Sequence, residues 1–549
     1  MFRATLKRFL GRIDIAIRNI LFIIFLRLPF IMDHANKLHL LTKVLRAFRT
    51  DSKGAEQKAI MTRKVSTHEI SQHANEEDAW IVVNGKVYDV TKFAQGHPGG
   101  AEIIYQFAGR DASKPYNSTH SPSLIMELDD HVIGELDTST ITEEWSREVQ
   151  DPQNTASSTD TTYQRPALED IINLDDFEHV AMNTFSPKSW AYNSGAANDN
   201  FTRDANRSFF RDIWFRPAIM RNVSSVNLKS TLFGCDLDIP VYISPVGAAK
   251  TVFEEGELAL ARGAANSGIP YCLSTMSSYS LSEILDVTSK PVFYQLYINK
   301  DRPKTEALVR LAQDSGKVKA LFVTADLPVM SKREADERIK PEGNAVLIKV
   351  TQGSKHVGKK SAGLAKSNSS MIDSSLNWND LKWLRSITNL PILVKGVQRA
   401  EDALMAAQVG FDGIVISNHG GRAADTAPPA ILILLEIHRY CPEVFGKIKV
   451  LIDGGFRRGS DVVKAICLGA SAVGLGRPFQ YALGYGQEGV EHAVELLKEE
   501  IQTSTQLVGM TDLMRDASPT YLNTAGVEHL LPPNYTSIQK SFLRRLIKL

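Results

Sequence analysis

A histidine and an arginine stand three residues apart in the segment Ser417–Arg422, directly after the apolar run Gly413–Ile416. Arginine binds a carboxylate in a fixed two-pronged orientation, and histidine accepts a proton near neutral pH. His419 beside Arg422 therefore suits oxidation next to a carboxylate, and the glycines between them let the backbone approach a flat ligand. For this hexapeptide alone, a turn with a solvated histidine and arginine is an equally good interpretation, so its surroundings decide.

Those surroundings are short apolar runs that alternate with amphipathic helical stretches from Pro240 onward. Such alternation predicts a parallel sheet, and eight units over about 250 residues are the size of a closed (β/α)8 TIM barrel, an α/β fold. Active sites of these barrels lie just after the carboxyl ends of the strands. The eight runs start at Val241, Tyr271, Val292, Leu321, Ile392, Ile414, Val450 and Ala472.

Polar or small residues follow nearly every one of these runs, as an active site at the strand ends requires. They are Gly247, Ser274, Gln295, Tyr297, Thr324, Asp326, Lys395, His419, Arg422, Asp453, Gly455, Arg457, Gly476 and Arg477. The last two loops combine glycine amides with arginines after strands seven and eight, where barrels of this kind commonly hold a phosphate. They predict a phosphorylated cofactor, although either loop alone could be a turn that only closes an αβ unit.

A small α+β unit precedes the barrel. Trp80–Val83 and Val87–Val90 flank Asn84-Gly85 and predict a hairpin. His97 lies in a His-Pro-Gly-Gly segment, and His120 follows 23 residues later, with apolar residues around both. Two imidazoles could hold a porphyrin from both faces, which fills both axial positions and favours electron transfer over oxygen binding. The alternative is a small domain whose histidines cap turns.

The length of 549 residues exceeds one core and predicts two or more domains. A net charge of +1 gives no indication of a nucleic-acid partner. The cysteines are far apart and show no Cys-x-x-Cys spacing, so neither a zinc site nor a disulfide framework is expected. They are Cys235, Cys272, Cys441 and Cys467.

Residues 1–60 begin with a basic, acid-poor stretch, which is typical of a mitochondrial targeting presequence. Its apolar run Ile20–Leu26 is ended by Arg27 and Pro29 and is shorter than the about 20 residues that a bilayer span needs. We expect cleavage, no stable membrane span in the mature form, and a location in the mitochondrial intermembrane space. An amphipathic helix resting on a membrane or on the protein is the alternative.

Two further segments are poor in core-forming residues. Residues 139–165 are rich in Ser, Thr, Asp and Gln and predict a flexible linker between the two folded units. Gly353–Ser375, rich in Lys, Ser and Gly, lies inside the barrel domain and predicts a mobile surface loop, either a lid or a contact with the haem unit.

Residues 63–138 resemble the cytochrome b5 family, with His97 and His120 at the positions of its haem ligands. Residues from about Leu168 to Leu522 resemble the FMN-dependent 2-hydroxyacid dehydrogenase and oxidase family. The motifs that carry this second resemblance are Val394–Gln398, Ser417–Arg422, Asp453–Gly455 and Gly474–Phe479. The expected domains are a presequence 1–60, a haem domain 63–138, a linker 139–165, a barrel 166–525 and a tail 526–549.

The combined resemblance implies two cofactors, FMN and haem b, and an L-2-hydroxy acid as substrate, with L-lactate oxidised to pyruvate as the first choice. It implies that electrons pass from FMN to haem and on to cytochrome c or a similar one-electron acceptor, and that the protein is a homotetramer. A hydroxyacid oxidase that uses oxygen, and a haem-binding scaffold on an inactive barrel, are the rival functions.

By the same resemblance, His419 is the base, Asp326 orients it, Arg422 and Tyr192 bind the carboxylate, Tyr297 contacts the hydroxyl, and Arg333 lines the pocket. Lys395 would lie at the N1–O2 edge of the flavin. Gly247, Ser274, Gln295 and Thr324 would contact the isoalloxazine, and Asp453, Gly455, Arg457, Gly476 and Arg477 the ribityl phosphate. Structural roles stay open: a helix cap for Asp326, core packing for the tyrosines, and an ion pair for Lys395.

Several positions depart from the usual family pattern. Gly247 stands where alanine is frequent, and Met276 occupies a variable apolar position of the pocket. A missing methyl and a flexible thioether would admit a side chain larger than that of lactate. Ala423-Ala424 replaces bulkier residues, and the segment Trp190–Ala197 around Tyr192 is atypical.

Overall fold

The computed structural model describes residues 63–95, 97, 101–146, 163–339 and 372–533. The predicted presequence 1–60, most of the linker and most of the segment Gly353–Ser375 lie outside the described residues. Across the described ranges, no helix combines the length and the apolar character needed to cross a bilayer.

The haem unit is a small sheet with short helices on both faces. Its strands run in the order β1-β6-β4-β3-β2, with β5 beside β3. The strands are β1 Lys64–Val65, β2 Ala74–Asn75, β3 Asp78–Val83, β4 Lys86–Asp89, β5 Arg110–Asp111 and β6 Val132–Leu136. The helices are α1 Thr67–Gln72, α2 Thr91–Ala94, α3 Ala101–Tyr105, α4 Ser113–Thr119 and α5 Glu143–Ser146, with a 3-10 helix at Pro122–His131.

The predicted hairpin is confirmed, because β3 and β4 pair antiparallel around Asn84 and Gly85. Both turn residues have positive φ, 51° and 80°, the backbone that a tight hairpin requires. Residues of β3 alternate between two apolar clusters. Ile81 faces the cluster that also holds Phe93 and Ile104, whereas Trp80 and Val82 face the opposite cluster.

The first part of the predicted linker is packed on the haem unit. The Thr67 amide donates to Thr140 Oγ1 at 2.9 Å, and Trp145 Nε1 donates to the Gly109 carbonyl at 3.2 Å. The folded haem unit therefore extends to Ser146, beyond the expected boundary at 138, because Trp145 adds an apolar ring to its core.

The larger domain contains a parallel sheet of eight strands in the order β10-β17-β16-β15-β14-β13-β12-β11. A bridge between Ile243 and Tyr271 joins the two ends and closes the barrel. All eight predicted strands are confirmed, and with them the (β/α)8 fold. The barrel strands are β10 Val241–Ile243, β11 Cys272–Ser274, β12 Val292–Leu296, β13 Val318–Thr324, β14 Ile392–Val397, β15 Gly413–Ile416, β16 Lys449–Asp453 and β17 Ala472–Leu475.

The other strands form two small pairs, β7 with β18 and β8 with β9. They are β7 Trp214–Phe215, β8 Ser230–Leu232, β9 Cys235–Leu237 and β18 Leu522–Asn523. The helices are α6 Leu174–Thr184, α7 Pro187–Ser194, α8 Phe201–Ser208, α9 Gly256–Asn266, α10 Leu281–Val287, α11 Arg302–Asp314, α12 Glu334–Arg338, α13 Asp380–Ile387, α14 Ala400–Val409, α15 Ala430–Tyr440, α16 Gly459–Cys467, α17 Arg477–Ala482, α18 Gly486–Leu507, α19 Leu513–Asp516 and α20 Ala525–Glu528.

The barrel interior is a packed core and not a channel. Phe293 and Phe322 stack with ring centroids 5.3 Å apart, and Tyr242 meets Phe322 edge-on at 5.9 Å. The β8–β9 hairpin adds Leu232 and Leu237 to the same cluster. Because the interior is filled, a ligand site can lie only beyond the strand ends.

The four cysteines lie buried as thiols and form no disulfide. The barrel extends past the expected boundary at 525, since Leu531 is buried and Tyr440 donates its hydroxyl to the Pro532 carbonyl at 2.7 Å.

Candidate active site

His419 lies just after β15 and is held by a buried carboxylate from another loop. Its Nδ1 lies 3.0 Å from Oδ1 of Asp326, which follows β13 and is fully buried. Its Nε2 lies 3.5 Å from the Tyr297 hydroxyl. With Nδ1 bound to the carboxylate, Nε2 is the nitrogen presented to the cavity as a proton acceptor.

The protonation states of this pair suit a general base. Burial lowers the pKa of His419, and the facing Asp326 only partly opposes that effect. Burial acts to raise the pKa of the Asp326 carboxyl, but the facing His419 outweighs it and holds the pKa below its ordinary range. The imidazole is therefore neutral at neutral pH beside an ionised carboxylate, which would stabilise the imidazolium that proton transfer creates.

The loop that carries His419 has a strained backbone. His419, Gly420 and Gly421 all have positive φ, and a Cβ on Gly421 would come within 2.6 Å of the Arg203 amide nitrogen. Non-glycine residues held in this region cluster at functional sites, because the surrounding structure must offset the strain. The strain at His419 accordingly marks this loop as functional.

A buried pair of asparagines holds that loop. Asn206 and Asn418 exchange two amide hydrogen bonds of 2.8 and 2.9 Å, and Asn418 Oδ1 also accepts from the Gly421 amide at 3.0 Å. Asn206 lies on α8, more than two hundred residues from its partner in sequence. Sequence analysis missed it, because no local pattern signals so distant a contact.

Arg422 lies against the carboxyl end of α7. Its Nη2 donates to the carbonyls of Tyr192 at 2.9 Å and Asn193 at 2.6 Å, and its Nε donates to Gly195 at 3.2 Å. Carbonyls at the end of a helix favour a cation, so the atypical segment around Tyr192 positions this guanidinium. Arg422 also lies over the Tyr192 ring, 5.8 Å from its centroid.

A second buried cation lines the same cavity. Arg333 is 6% exposed, and among the described residues its Nε has no hydrogen-bond partner. Burial, followed by the cationic Arg333, lowers the pKa of Arg422. Two buried guanidinium groups that repel one another favour a bound anion, and a substrate carboxylate meets that requirement.

Lys395, at the end of β14, belongs to a buried polar network. Its Nζ lies 3.1 Å from Asp453 and donates to Ser417 Oγ at 2.9 Å, and Ser417 donates to Asp453 at 2.5 Å. Burial acts to lower the pKa of Lys395, but Asp453 and Asp326 outweigh it and hold the pKa above its ordinary value. The lysine therefore stays cationic. Its ion pair with Asp453 was one of the structural roles left open.

Gly396 allows Asp326 to approach this network. It has a φ of 108°, and a Cβ there would lie 2.5 Å from Cβ of Asp326. The strand register shifts between Lys395 and Val397, so the bulge at Gly396 aims the lysine at the cavity. Ser417, like Gly396, was not predicted as a site residue, although both lie within the quoted motifs.

A chain of polar side chains forms another wall of the cavity. Ser274 Oγ donates to Gln295 Oε1 at 3.0 Å, and Gln295 Nε2 donates to Thr324 Oγ1 at 2.9 Å. Gly247 faces them, and a Cβ on it would come within 2.7 Å of the Met276 carbonyl oxygen. These groups offer hydrogen-bonding partners to a flat heteroaromatic ring that fits closely against the backbone.

One cavity unites most of the predicted site residues. It contains about 700 Å³ of space not filled by atoms, part of which is open to solvent. Its lining includes Tyr192, Gly247, Ser274, Gln295, Tyr297, Thr324, Arg333, Lys395, His419, Arg422 and Arg477. The polar wall and the buried cations fit FMN together with a small hydroxy acid.

The predicted phosphate end is only partly brought to the cavity. Arg477 lines it, donates to the Gly420 carbonyl at 2.8 Å, and has its pKa lowered to about 9 by burial and by Arg422. Arg457 pairs with Glu178 at 3.0 Å and keeps a buried Nη1 without a partner among the described residues. A phosphate would satisfy both cations.

Three other residues predicted for this end do not line the cavity: Asp453, Gly455 and Gly476. Asp453 holds Lys395, as described above. Gly455 serves close packing, since a Cβ would lie 2.1 Å from the Asn206 carbonyl oxygen. Gly476 leaves open space, because a Cβ would meet its nearest atoms at 3.7 Å.

His97 and His120 face one another in the haem unit. Their ring centroids are 6.0 Å apart, and the ring planes cross at 79°. Two metal–imidazole bonds of about 2 Å each, with about 1 Å more from each bonded nitrogen to its ring centre, add up to a separation of this size. The surrounding Phe93 and Tyr116 lie 5.6 and 5.2 Å from the two histidine rings. The two imidazoles would therefore hold a haem iron.

Burial, followed by His97 and Lys250, lowers the pKa of His120 to about 4. The ring is therefore neutral, which is the form that binds a metal.

Comparison with known protein families gives two matches along the chain. Residues 66–137 match the cytochrome b5-like haem/steroid binding domain, and residues 181–524 match the FMN-dependent dehydrogenase family. The L-lactate dehydrogenase (cytochrome) of Wickerhamomyces anomalus is 38% identical over 475 residues, which cover 84% of this chain and 80% of the relative. The enzyme of the same name from Saccharomyces cerevisiae is 38% identical over 488 residues, 85% of this chain and 82% of the relative.

A solved structure of a flavocytochrome b2 double mutant with pyruvate bound superposes with a TM-score of 0.61 at 38% identity. It covers 68% of this chain and 92% of the solved one. A peroxisomal (S)-2-hydroxyacid oxidase of Arabidopsis thaliana is 39% identical, but its match covers only 62% of this chain and 94% of the oxidase.

Proposed function

Because this chain belongs to the FMN-dependent dehydrogenase family and carries a cytochrome b5-like domain before its barrel, we propose that it oxidises L-lactate to pyruvate and reduces cytochrome c. The protein is an FMN- and haem-dependent oxidoreductase. Its two relatives named L-lactate dehydrogenase (cytochrome) match across both domains. FMN, when bound, accepts two electrons from the substrate, and the haem releases them one at a time to the acceptor.

Different residues of the cavity would bind the carboxylate and the hydroxyl group of the substrate. Arg422 and Arg333 would bind the carboxylate, and Tyr192, beside Arg422, would complete that contact. Tyr297, whose hydroxyl lies 3.5 Å from His419 Nε2, would hydrogen-bond the substrate hydroxyl. The substrate is thereby oriented with its reacting carbon near the base, so that the reaction becomes effectively unimolecular.

His419 takes the proton at Nε2. It comes from the substrate carbon if a carbanion forms, or from the hydroxyl if a hydride leaves, and the same residue serves both routes. Asp326 holds the opposite nitrogen at 3.0 Å and stabilises the charged ring. Lys395 supplies a buried positive charge where the reduced, negatively charged flavin would need one.

One observation carries this proposal: His419, Tyr297, Arg422, Arg333 and Lys395 line a single cavity, although their loops are far apart in sequence. An inactive barrel would have no reason to keep a strained histidine on a buried carboxylate beside two buried arginines. The paired His97 and His120 favour an electron-transfer haem over a purely regulatory domain, which weighs against the oxygen-using oxidase.

The decisive experiment is a panel of L- and D-2-hydroxy acids that includes lactate and acids with longer or aromatic side chains. Flavin bleaching, cytochrome c reduction and peroxide release would be recorded for each acid. We expect L-lactate to bleach the flavin and to reduce two cytochromes per molecule, with little peroxide. Peroxide matching substrate consumption would identify an oxidase, and failure of every acid to bleach the flavin would identify a scaffold.

Substrate size is the second question for the panel. Gly247 and Met276 lie in contact on the cavity wall, where a methyl group is missing and a flexible side chain is present. If an acid with a larger side chain has the highest kcat/KM, the substrate within the 2-hydroxy acid class changes while the mechanism stays.

We also propose a mitochondrial intermembrane-space location and a homotetramer. The basic, acid-poor residues 1–60 support the mitochondrial location, and N-terminal sequencing of the mature protein from fractionated mitochondria would test it.

Exposed apolar side chains at Trp214, Ile219 and Met220 support association into the homotetramer. Light scattering that gives the mass of a monomer would contradict it.

A further inference from the structure

The haem unit touches the barrel through the residues that end α4. Lys250 Nζ, from the barrel, donates to the carbonyls of Asn117 at 2.7 Å and His120 at 2.9 Å. The next residue, Ser121, donates its amide to the Ser278 carbonyl at 3.0 Å and its hydroxyl to Glu283 at 2.8 Å. The backbone of a haem ligand is therefore held from both sides by the barrel.

The two barrel loops that make these contacts are joined to one another. Glu257, which is fully buried, accepts through one oxygen from the amides of Ala249 and Ser278, each at 3.0 Å. The Ala248 amide also donates to the Met276 carbonyl at 3.1 Å. The two loops therefore form one rigid platform.

The same loops line the active-site cavity. Gly247 stands three residues before Lys250, and Met276 stands two residues before Ser278. One short stretch of each loop faces the substrate and flavin side, and the next stretch holds the haem-ligand segment. Each loop therefore connects the two sites through two or three residues.

We propose that Lys250 is a positioning residue that seats the His120 segment on the barrel and so sets the rate of electron transfer from flavin to haem. A lysine suits this place because its ammonium group can satisfy two carbonyls at the end of α4, where the helix dipole favours a cation. Both acceptors are backbone carbonyls, so the contact does not depend on side chains of the haem unit.

The step that depends on this contact moves one electron at a time. Each oxidised hydroxy acid yields two electrons and two protons; the protons leave through His419 and solvent. A haem held by His97 and His120 would accept these electrons one at a time and would pass each to the cytochrome before accepting the next. Lys250 has no part in proton transfer, so its loss should leave substrate oxidation intact.

The test compares Lys250→Met and Lys250→Arg with the full-length holoenzyme in stopped flow. In Lys250→Met we expect flavin bleaching by L-lactate within about twofold of the parent and haem reduction slowed about tenfold or more, since hydrogen bonds from a charged group are among the stronger ones. Lys250→Arg, which keeps the charge, should recover part of the rate. Lys319→Met is the matched control, because this partly buried lysine on β13 donates to the nearby Gly316 carbonyl.

Hydrogen exchange supplies a readout that does not depend on turnover. The Ser121 amide is protected by the Ser278 carbonyl across the interface, so residues 113–124 should exchange about tenfold faster in Lys250→Met and at the parent rate in Lys319→Met. Unchanged haem reduction would overturn the proposal, and so would unchanged exchange or flavin bleaching slowed as much as haem reduction.

The kinetic half of this inference rests on the proposed function, whereas the exchange half does not. If no hydroxy acid bleaches the flavin, the proposed function fails while exchange still reports the contact. If bleaching proceeds and exchange is unaltered, only the role of Lys250 fails.

Discussion

The haem site and the barrel site hold their ligands in opposite ways. The haem site uses two imidazoles from one stretch of chain, His97 and His120, in apolar surroundings. The barrel site buries several charged groups, contributed by loops that follow different strands. A buried charge must be paired or hydrogen-bonded, whereas a neutral imidazole needs mainly a shaped apolar pocket. Pairing the buried charges of the barrel site therefore requires the large closed fold, whereas the haem site requires only a small domain.

Replacing a haem ligand separates the two sites most sharply. His120→Ala leaves one axial imidazole, so we expect cytochrome c reduction to be abolished while flavin bleaching by substrate proceeds at the parent rate. Stopped-flow absorbance at the flavin and haem bands measures both. Cytochrome reduction at an unchanged rate would remove the haem from the electron path.

The base of the barrel site should have the next largest effect. His419→Gln removes the proton acceptor, and a general base commonly contributes about 10²–10⁴ in rate, so flavin bleaching should slow by that factor. FMN content, read from the absorbance of the purified variant, should stay at the parent level. A variant that still oxidises lactate at close to the parent rate would refute this role.

Asp326→Asn tests the orienting carboxylate. An amide no longer stabilises the imidazolium and can favour the wrong tautomer, so kcat/KM should fall by about 10². Because Asp326 opposes the lowering of the His419 pKa, its loss should also shift the acid limb of the pH profile to lower pH. A drop in rate with the acid limb unmoved would indicate a purely structural role.

The pH profile of the parent protein gives a smaller, graded effect. The pKa of His419 lies below its ordinary value of 6.5, mainly through burial, so the base is already neutral at pH 7. We expect kcat/KM to be flat from about pH 7 to 8 and to fall about tenfold per unit below the His419 pKa. Haem reduction in the isolated transfer step should not follow this limb. A profile that falls between pH 8 and 7 would contradict a depressed pKa.

Substitution of Gly247 on the cavity wall should have the smallest effect on the turnover of L-lactate. In Gly247→Ala the new methyl would meet the Met276 carbonyl oxygen at 2.7 Å, so one of the two loops must shift. We expect kcat for L-lactate to change by less than about threefold and kcat/KM for an acid with a larger side chain to fall by about tenfold. Equal losses for both substrates, measured by flavin bleaching, would mean that the wall does not select for size.

Short-range sequence patterns were sufficient to predict much of the fold correctly. The hairpin at Asn84-Gly85 and the eight apolar runs were visible because turn chemistry and burial leave short-range patterns. The strand-end position of Asp326, Tyr297 and Lys395 followed from the general rule for such barrels. The resemblance to known families then assigned roles that the residue types alone left open.

The missed features share one property, which is distance along the chain. The Asn206–Asn418 pair, the carbonyls of α7 that hold Arg422, and the contact of Lys250 with the haem-ligand segment all join residues far apart in sequence. Residues 139–146 were predicted as linker, because a single tryptophan, Trp145, supplies their core contact.

The amino-acid sequence by itself determined the order of the two domains, the (β/α)8 pattern and the types of residue available for chemistry, since these follow from local periodicity and composition. Only the tertiary structure decided which of those residues share a cavity and which buried cations are available to bind an anion. It also decided where the haem unit contacts the barrel. These contacts form because the closed barrel and its packed loops bring residues that are distant in sequence within hydrogen-bonding distance. A local sequence pattern does not encode such long-range contacts.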